Sequence, residues 1–265
     1  MLFVLAIAFN SHARLANQAL QSLRPHRVVT RWGFYWPKCF DNHVVNTLNF
    51  LDRRRSVRAY LPTPVSDSLL AEVMTSARLA PSGANLQPGV FVWVRGEVRQ
   101  QLCDDLVLAW REGRQEAEDY DYFPQPMPMT LRRRQVAAAQ ALYGALGVAR
   151  DDRAGRDAQF ERNFRFFDAP VALVVTMPHD FGAGGYMDLG MALYGLMLAA
   201  QAKGLSTCAI GAMASYPSLI RQHLGLDADT KVVCGIALGY ADPDAPVNQT
   251  HTTRCDLDDY FKVIG

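Results

Sequence analysis

The stretch APSGANLQPG, residues 80–89, separates two regular patterns. Before it, DSLLAEVMTSARLA places Leu69, Leu70, Val73, Met74 and Ala77 on one helical face, with Ser66 or Asp67 as N-cap and Pro81 as the stop. After it, VFVWVRG reads as a strand ended by glycine. The Ser, Gly, Asn and Gln between them break regular structure and set backbone donors beside side-chain amides. Such a segment offers a place where something polar and flat could lie.

Upstream, HVVNTLNFLDRR predicts a helix from His43 that ends in the basic run Arg53, Arg54, Arg55, followed by the loop SVRAYLPTPV. Downstream, residues 97–167 are charged, aromatic and mostly helical in pattern, interrupted by YDYFPQPMPM, whose prolines forbid a regular element. From Ala169, APVALVVTMP is a β-branched run of the kind buried in a central strand. GYMDLGMALYGLMLAAQAKGL is then a long helix, apolar on nearly every face, which places it at a domain centre or in a subunit interface. The grammar repeats with strand TCAIGAM, helix YPSLIRQHLGL ended by Gly225, and buried strand KVVCGIALGYAD, before NQTHTTRCDLDDYF leaves the core. Strands alternate with a larger share of helix, so the expected fold is α+β with a central mixed or antiparallel sheet between helices.

Composition narrows the function classes. A chain of 265 residues, 49% hydrophobic, can bury one sizeable core, and a net charge of +1 gives no bulk reason to favour nucleic acid or an anionic membrane. Five cysteines without a CxxC pair argue against a disulfide framework and for a reducing, cytoplasmic setting, and the scattered histidines predict no metal. Residues 1–43 read as a peripheral extension: Met1–Phe40 lacks acidic residues, and its opening LFVLAIAF is too short to span a bilayer.

Several familiar chemistries fail on spacing. GAGGYMDLG follows a strand, but a dinucleotide loop would need glycine at Met187, so the cluster reads as a turn leading to Asp188 as N-cap. Ser82 lacks a nucleophile-elbow setting, while Cys208 and Cys234 sit in or beside apolar strands where thiols are core. The polar groups instead look built to hold a ligand. RRRSVR, Arg53–Arg58, and the distant Arg254 provide guanidinium forks suited to phosphate and carbonyl oxygens.

Taken together, Arg54, Ser56 and Arg58, then Pro81, Ser82, Asn85, Gln87 and Pro88, then Arg254, resemble in order and spacing the flavin-dependent nitroreductase family. The resemblance covers roughly residues 44–265, and RNFRFFDAP at 162–170 makes it most similar to the nitrobenzoate-reductase subgroup. It implies a nitroreductase-like fold, a homodimer with the long helix at its interface, and FMN held between subunits. In that arrangement Arg54 and Arg254 hold the phosphate with Arg55 nearby, and Ser56 and Arg58 hold the ribityl chain and pyrimidine edge. The Pro81, Ser82, Gly83, Asn85 and Gln87 segment comes from the neighbouring subunit, while Cys208, Ala209, Ile210 and Gly211 flank the reactive ring nitrogen. Asn163 is a further flavin contact. No side chain acts as nucleophile, and Arg58 gives electrostatic support to the reduced ring.

The implied activity is electron transfer from NADPH or NADH, through FMN, to a planar nitroaromatic acceptor in a ping-pong cycle. An insertion at about 103–167 is expected to supply a lid, with Trp110, Tyr120, Tyr122, Phe123, Phe164, Phe166 and Phe167 either as acceptor contacts or as core, and Arg132, Arg133 and Arg134 either as attractors of a carboxylated acceptor or as a solvated helix face. The same site residues leave open reduction of a quinone, an enone or a halogenated aromatic, and storage or sensing of flavin without turnover.

Overall fold

The computed structural model describes residues 51–264; the extension at 1–43 and most of the helix expected from His43 lie outside the described residues. Residues 51–53 are helical, and the chain then runs through α1 (Asp67–Ala77), β1 (Val90–Val94), α2 (Gly96–Arg111), α3 (Met129–Ala145), α4 (Arg153–Glu161), β2 (Val171–Pro178), α5 (Ala183–Ala202), β3 (Ser206–Ile210), α6 (Pro217–Leu224), β4 (Thr230–Gly239) and α7 (Leu257–Tyr260). The strands form one sheet in the order β1-β2-β4-β3, every neighbouring pair antiparallel. A parallel contribution comes from an isolated bridge between Ser56 and Thr207. The fold is α+β, as expected.

The apolar run of β2 is continuous because both of its faces are covered. Ala172 and Val174 enter a core with Leu102, Leu106 and Ala109 of α2, Phe164, Phe166 and Phe167, and Ile220 of α6. Val171, Leu173, Val175 and Met177 face the other way, into a core with Leu70, Val73 and Ala77 of α1 and Leu189, Leu196 and Ala200 of α5. The period-2 alternation of a strand thus feeds two helical layers. Glycine helps those layers close: a Cβ on Gly89 would lie 2.4 Å from Leu189 Cδ1, so a side chain there would have to push the Leu189 side chain out of its place.

Local chemistry moves several boundaries from where periodicity puts them. Ser66 caps α1, its Oγ accepting from Leu69 N at 3.2 Å, but the helix ends at Ala77 rather than running to Pro81. Gly96 does not close β1; it opens α2 with a φ of +62°. Asp188 is not an N-cap: α5 starts at Ala183 after Gly182, which puts Asp188 inside the helix with its side chain turned inward. The first part of the stretch expected as an insertion from about Cys103 is core: Leu102, Cys103, Leu106, Val107 and Ala109 of α2 are buried. Phe164, Phe166 and Phe167, expected as acceptor contacts, are likewise buried in the core, none more than 1% exposed.

Helix α5 is apolar all round, yet in one chain it is covered on one side only. Gly185, Asp188, Leu189, Leu196 and Ala200 are buried, whereas Met187 is 65% and Tyr194 44% exposed. Leu86 and Val90, on the segment whose Gly83 and Gly89 meet α5, are also exposed.

Candidate functional site

The strap that follows the basic run is laid on the sheet edge by its backbone. Ser56 bridges Thr207, and Val57 N donates to Thr207 O at 3.1 Å. Arg58 N donates to Asn248 Oδ1 at 2.9 Å, and Asn248 Nδ2 reaches Ala59 O and Asp242 O, each at 2.8 Å. The Tyr60 hydroxyl is shared between Val57 O at 2.8 Å and Ala237 O at 3.2 Å; burial raises its pKa well above the usual value, which keeps it a donor.

These bonds carry the arginines to the C-terminal segment. Arg54, Arg55, Ser56, Arg58 and Arg254 line a cleft of about 300 Å³, together with Asp52, Thr250, His251 and Thr252. Among the described residues none of the four arginines makes an ion pair. Arg254 is oriented by Thr252 instead, its guanidinium donating to Oγ1 at 2.9 Å and to the carbonyl at 3.2 Å. Four guanidiniums and several hydroxyls facing one space, against a single carboxylate, suit a phosphate and a polyol chain.

Strand β3 continues from this cleft. Cys208 is buried, and its thiol lies against Ser56 and Arg58; burial raises its pKa, an effect that Arg58 and Ser56 partly oppose. A protonated, enclosed thiol is not a nucleophile. Ala209 is exposed on the strand edge and Ile210 is buried. At Gly211 an added Cβ would come 3.0 Å from Tyr122 Cε2, so the segment between α2 and α3 covers the end of β3 with an aromatic ring. Tyr120 anchors that segment by donating to Val233 O at 2.7 Å. Asn163 lies apart from the cleft, on the turn before Phe164, with its amide donating to Phe160 O at 2.6 Å.

The 81–89 segment builds a second cavity, of about 390 Å³, lined by Pro81, Ser82, Gln87, Pro88, Gly89 and residues of α1 and α5. Its backbone is unusual for side-chain-bearing residues: Ala84, Asn85 and Gln87 have φ of 48°, 58° and 49°. Ser82 Oγ accepts from Gln87 N at 3.0 Å, and Gln87 Nε2 donates to Asn85 O at 3.0 Å. Asp188 holds the start of the loop: its Oδ2 accepts from Gly83 N at 3.0 Å, while Oδ1 is buried without a partner. Sequence reasoning missed Asp188 as an acceptor, although an acidic residue inside an otherwise apolar helix is the signal that finds it.

No residue lines both cavities. One chain therefore brings together Arg54, Arg55, Ser56, Arg58, Cys208 and Arg254, and separately Pro81, Ser82, Gly83, Asn85 and Gln87.

Residues 51–240 match the Nitroreductase family, and the chain belongs to that family. It is 39% identical over 201 residues, 76% of this chain and 88% of the relative, to a 4-nitrobenzoate reductase of Pseudomonas putida. Among solved structures, the FMN- and NADPH-dependent nitroreductase NfnB of sphigopyxis sp. strain HMH superposes with a TM-score of 0.80 at 38% identity, covering 83% of this chain and 99% of that one. The FMN-dependent nitroreductase NfnB of Mycobacterium smegmatis, in complex with NADPH, gives a TM-score of 0.79 at 30% identity, covering 84% of this chain and 100% of that one.

Proposed function

We propose that this chain is an FMN-dependent nitroreductase that takes electrons from NADPH or NADH, reduces nitroaromatic acceptors, and completes its flavin site by forming a homodimer. The observation that carries the reading is the cleft in which Arg54, Ser56, Arg58 and Arg254 converge beside β3, since those donors fit a phosphate, a ribityl chain and a ring edge in sequence. Similarity to FMN- and NADPH-dependent enzymes over most of the chain supports it.

FMN bound there supplies a two-electron carrier able to accept hydride from a nicotinamide and pass electrons on to a nitro group. Arg54 and Arg254, with Arg55 at the rim, neutralise the phosphate. Arg58, fixed at its backbone by Asn248, presents cationic charge to the pyrimidine edge, where negative charge accumulates on reduction. Ala209, Ile210 and Gly211, at the end of β3, would flank the reactive edge. Tyr122 over Gly211 forms one wall of an acceptor pocket and helps to exclude water.

The Pro81–Gln87 segment of the partner subunit closes the site, with Asn85 as an amide donor and acceptor. The exposed apolar face of α5 and the neighbouring Leu86 and Val90 support an association that buries them. Cys103, Cys208, Cys234 and Cys255 are all unbridged, which fits a reducing, cytoplasmic setting. Among the described residues no helix is long and apolar enough to cross a membrane.

An absorption spectrum of the purified protein tests this directly. Flavin bands that bleach anaerobically with NADPH or NADH and return on adding 4-nitrobenzoate support the cycle. Protein that neither retains nor takes up FMN contradicts it.

A further inference from the structure

Helix α3 has no buried residue along its 17-residue length, yet its first half stands against the C-terminal segment. Arg133, Arg134 and Ala137 of the helix, with Thr253, Arg254 and Cys255, line a cleft of about 370 Å³. It adjoins the arginine cleft described above, because Thr252 and Arg254 line both. No carboxylate lines this second cleft, and among the described residues neither Arg133 nor Arg134 makes an ion pair. Arg133 and Arg134 are the fifth and sixth residues of α3, too far from the C-terminal turn for their charge to support the helix dipole. They suit a ligand anion better than they suit the fold.

We propose that this cleft binds the 2′-phosphate of NADPH and makes the phosphorylated dinucleotide the preferred reductant. The inference rests on the FMN reading. In that reading the phosphate end of the flavin lies at Arg54 and Arg254, while its reacting ring lies toward Gly211. From Thr207, opposite Ser56, to Gly211 is four residues of extended chain, about 13 Å. A one-ring nitroarene held against the flavin ring is too short to bring its carboxylate back past the phosphate to Arg133 and Arg134. A dinucleotide is long enough, with nicotinamide at the ring and adenosine ribose at the second cleft. Arginine forks then meet a dianionic monoester, the chemistry for which planar bidentate donors are best suited. Arg132, on the same helix, does not line the cleft.

The test uses the FMN-loaded protein in three forms: unaltered, with Arg133→Gln and Arg134→Gln together, and with Arg132→Gln as a control of equal charge change per residue. Because these side chains are exposed, the variants keep the fold and the FMN content, which absorbance and circular dichroism check. Calorimetric titration with adenosine 2′,5′-bisphosphate and with ADP reads the site without turnover. The bisphosphate binds at least about tenfold more tightly than ADP to the unaltered and Arg132→Gln proteins, and the double variant loses that preference. In steady state the double variant raises KM for NADPH about tenfold and leaves KM for NADH and kcat unchanged. Equal binding of the two nucleotides by the unaltered protein, or a preference that survives in the double variant, overturns the assignment. Absence of flavin in the starting spectrum marks failure of the FMN reading itself, and the 2′-phosphate site falls with it.

Discussion

Arg58 and Arg254 share a cleft but are positioned by different means. Arg58 is tied at its N–H to Asn248, at its guanidinium to Ser56 O at 3.2 Å, and lies 6.0 Å from the Phe167 ring centroid. Arg254 is exposed and held only by Thr252 and Thr253. Truncating it removes charge-assisted bonds worth about 1.5–3 kcal/mol without opening the core. Arg254→Ala is therefore expected to weaken FMN binding roughly ten- to a hundredfold, read by quenching of flavin fluorescence, with the denaturation midpoint unchanged. At the buried end of the scale, the Cys234 thiol is pushed up to about 12 by burial against an ordinary 9.0. Above pH 9 the unfolded chain loses this proton while the folded chain keeps it, so the contribution is complete below about pH 9 and declines as pH rises toward 12, by roughly 1.4 kcal/mol per unit. Urea midpoints between pH 9 and 11 should fall more steeply for the unaltered protein than for Cys234→Ala; equal slopes would contradict the assignment.

The loop between α1 and β1 depends on Asp188. Three residues with left-handed backbone each carry a strain of about 1 kcal/mol, and they persist because both ends of the segment are fixed. Gly83 is fixed by Asp188 and Gly89 by close packing on Leu189. Asp188→Ala leaves the Gly83 N–H without its acceptor; stability should fall by about 1–3 kcal/mol in urea titration, and FMN affinity should fall although every arginine is intact. Stability loss without any change in FMN affinity would separate the loop from the flavin site. At this scale the sequence was informative where chemistry is local. Ser66 as cap, the αL Gly225 after α6 and the continuous apolar run of β2 were all readable. Asp188 was read as a cap from its spacing; its place inside an apolar helix marks it as buried and in need of a donor, but the donor, Gly83, lies too far along the chain for sequence to name. For Phe164, Phe166 and Phe167 the sequence left core and pocket both open, because aromatic density in an insertion looks the same whether the rings line a pocket or fill a core.

In the molecule as a whole, the two halves of the candidate site are complementary in chemistry and separate in space. The motif order made the ligand class legible in the sequence, since RRRSVR, the 80–89 segment and Arg254 have meaning only as a set. Spacing alone does not say which copy a residue faces; only the family resemblance implied that the 81–87 segment comes from a neighbouring subunit. In the proposed dimer, the exposed side of α5 is the surface through which two copies would join the two halves. A charge placed there, Met191→Asp, should yield a monomer that retains the fold by circular dichroism and has lost FMN, because burying an unpaired carboxylate at an apolar interface costs more than a pair of thioether contacts contributes. The most direct measurement is native mass spectrometry of the flavin-loaded protein and this variant. The account predicts two chains with two FMN for the unaltered protein and a flavin-free single chain for Met191→Asp. A single chain that still carries FMN would contradict a site built from two subunits.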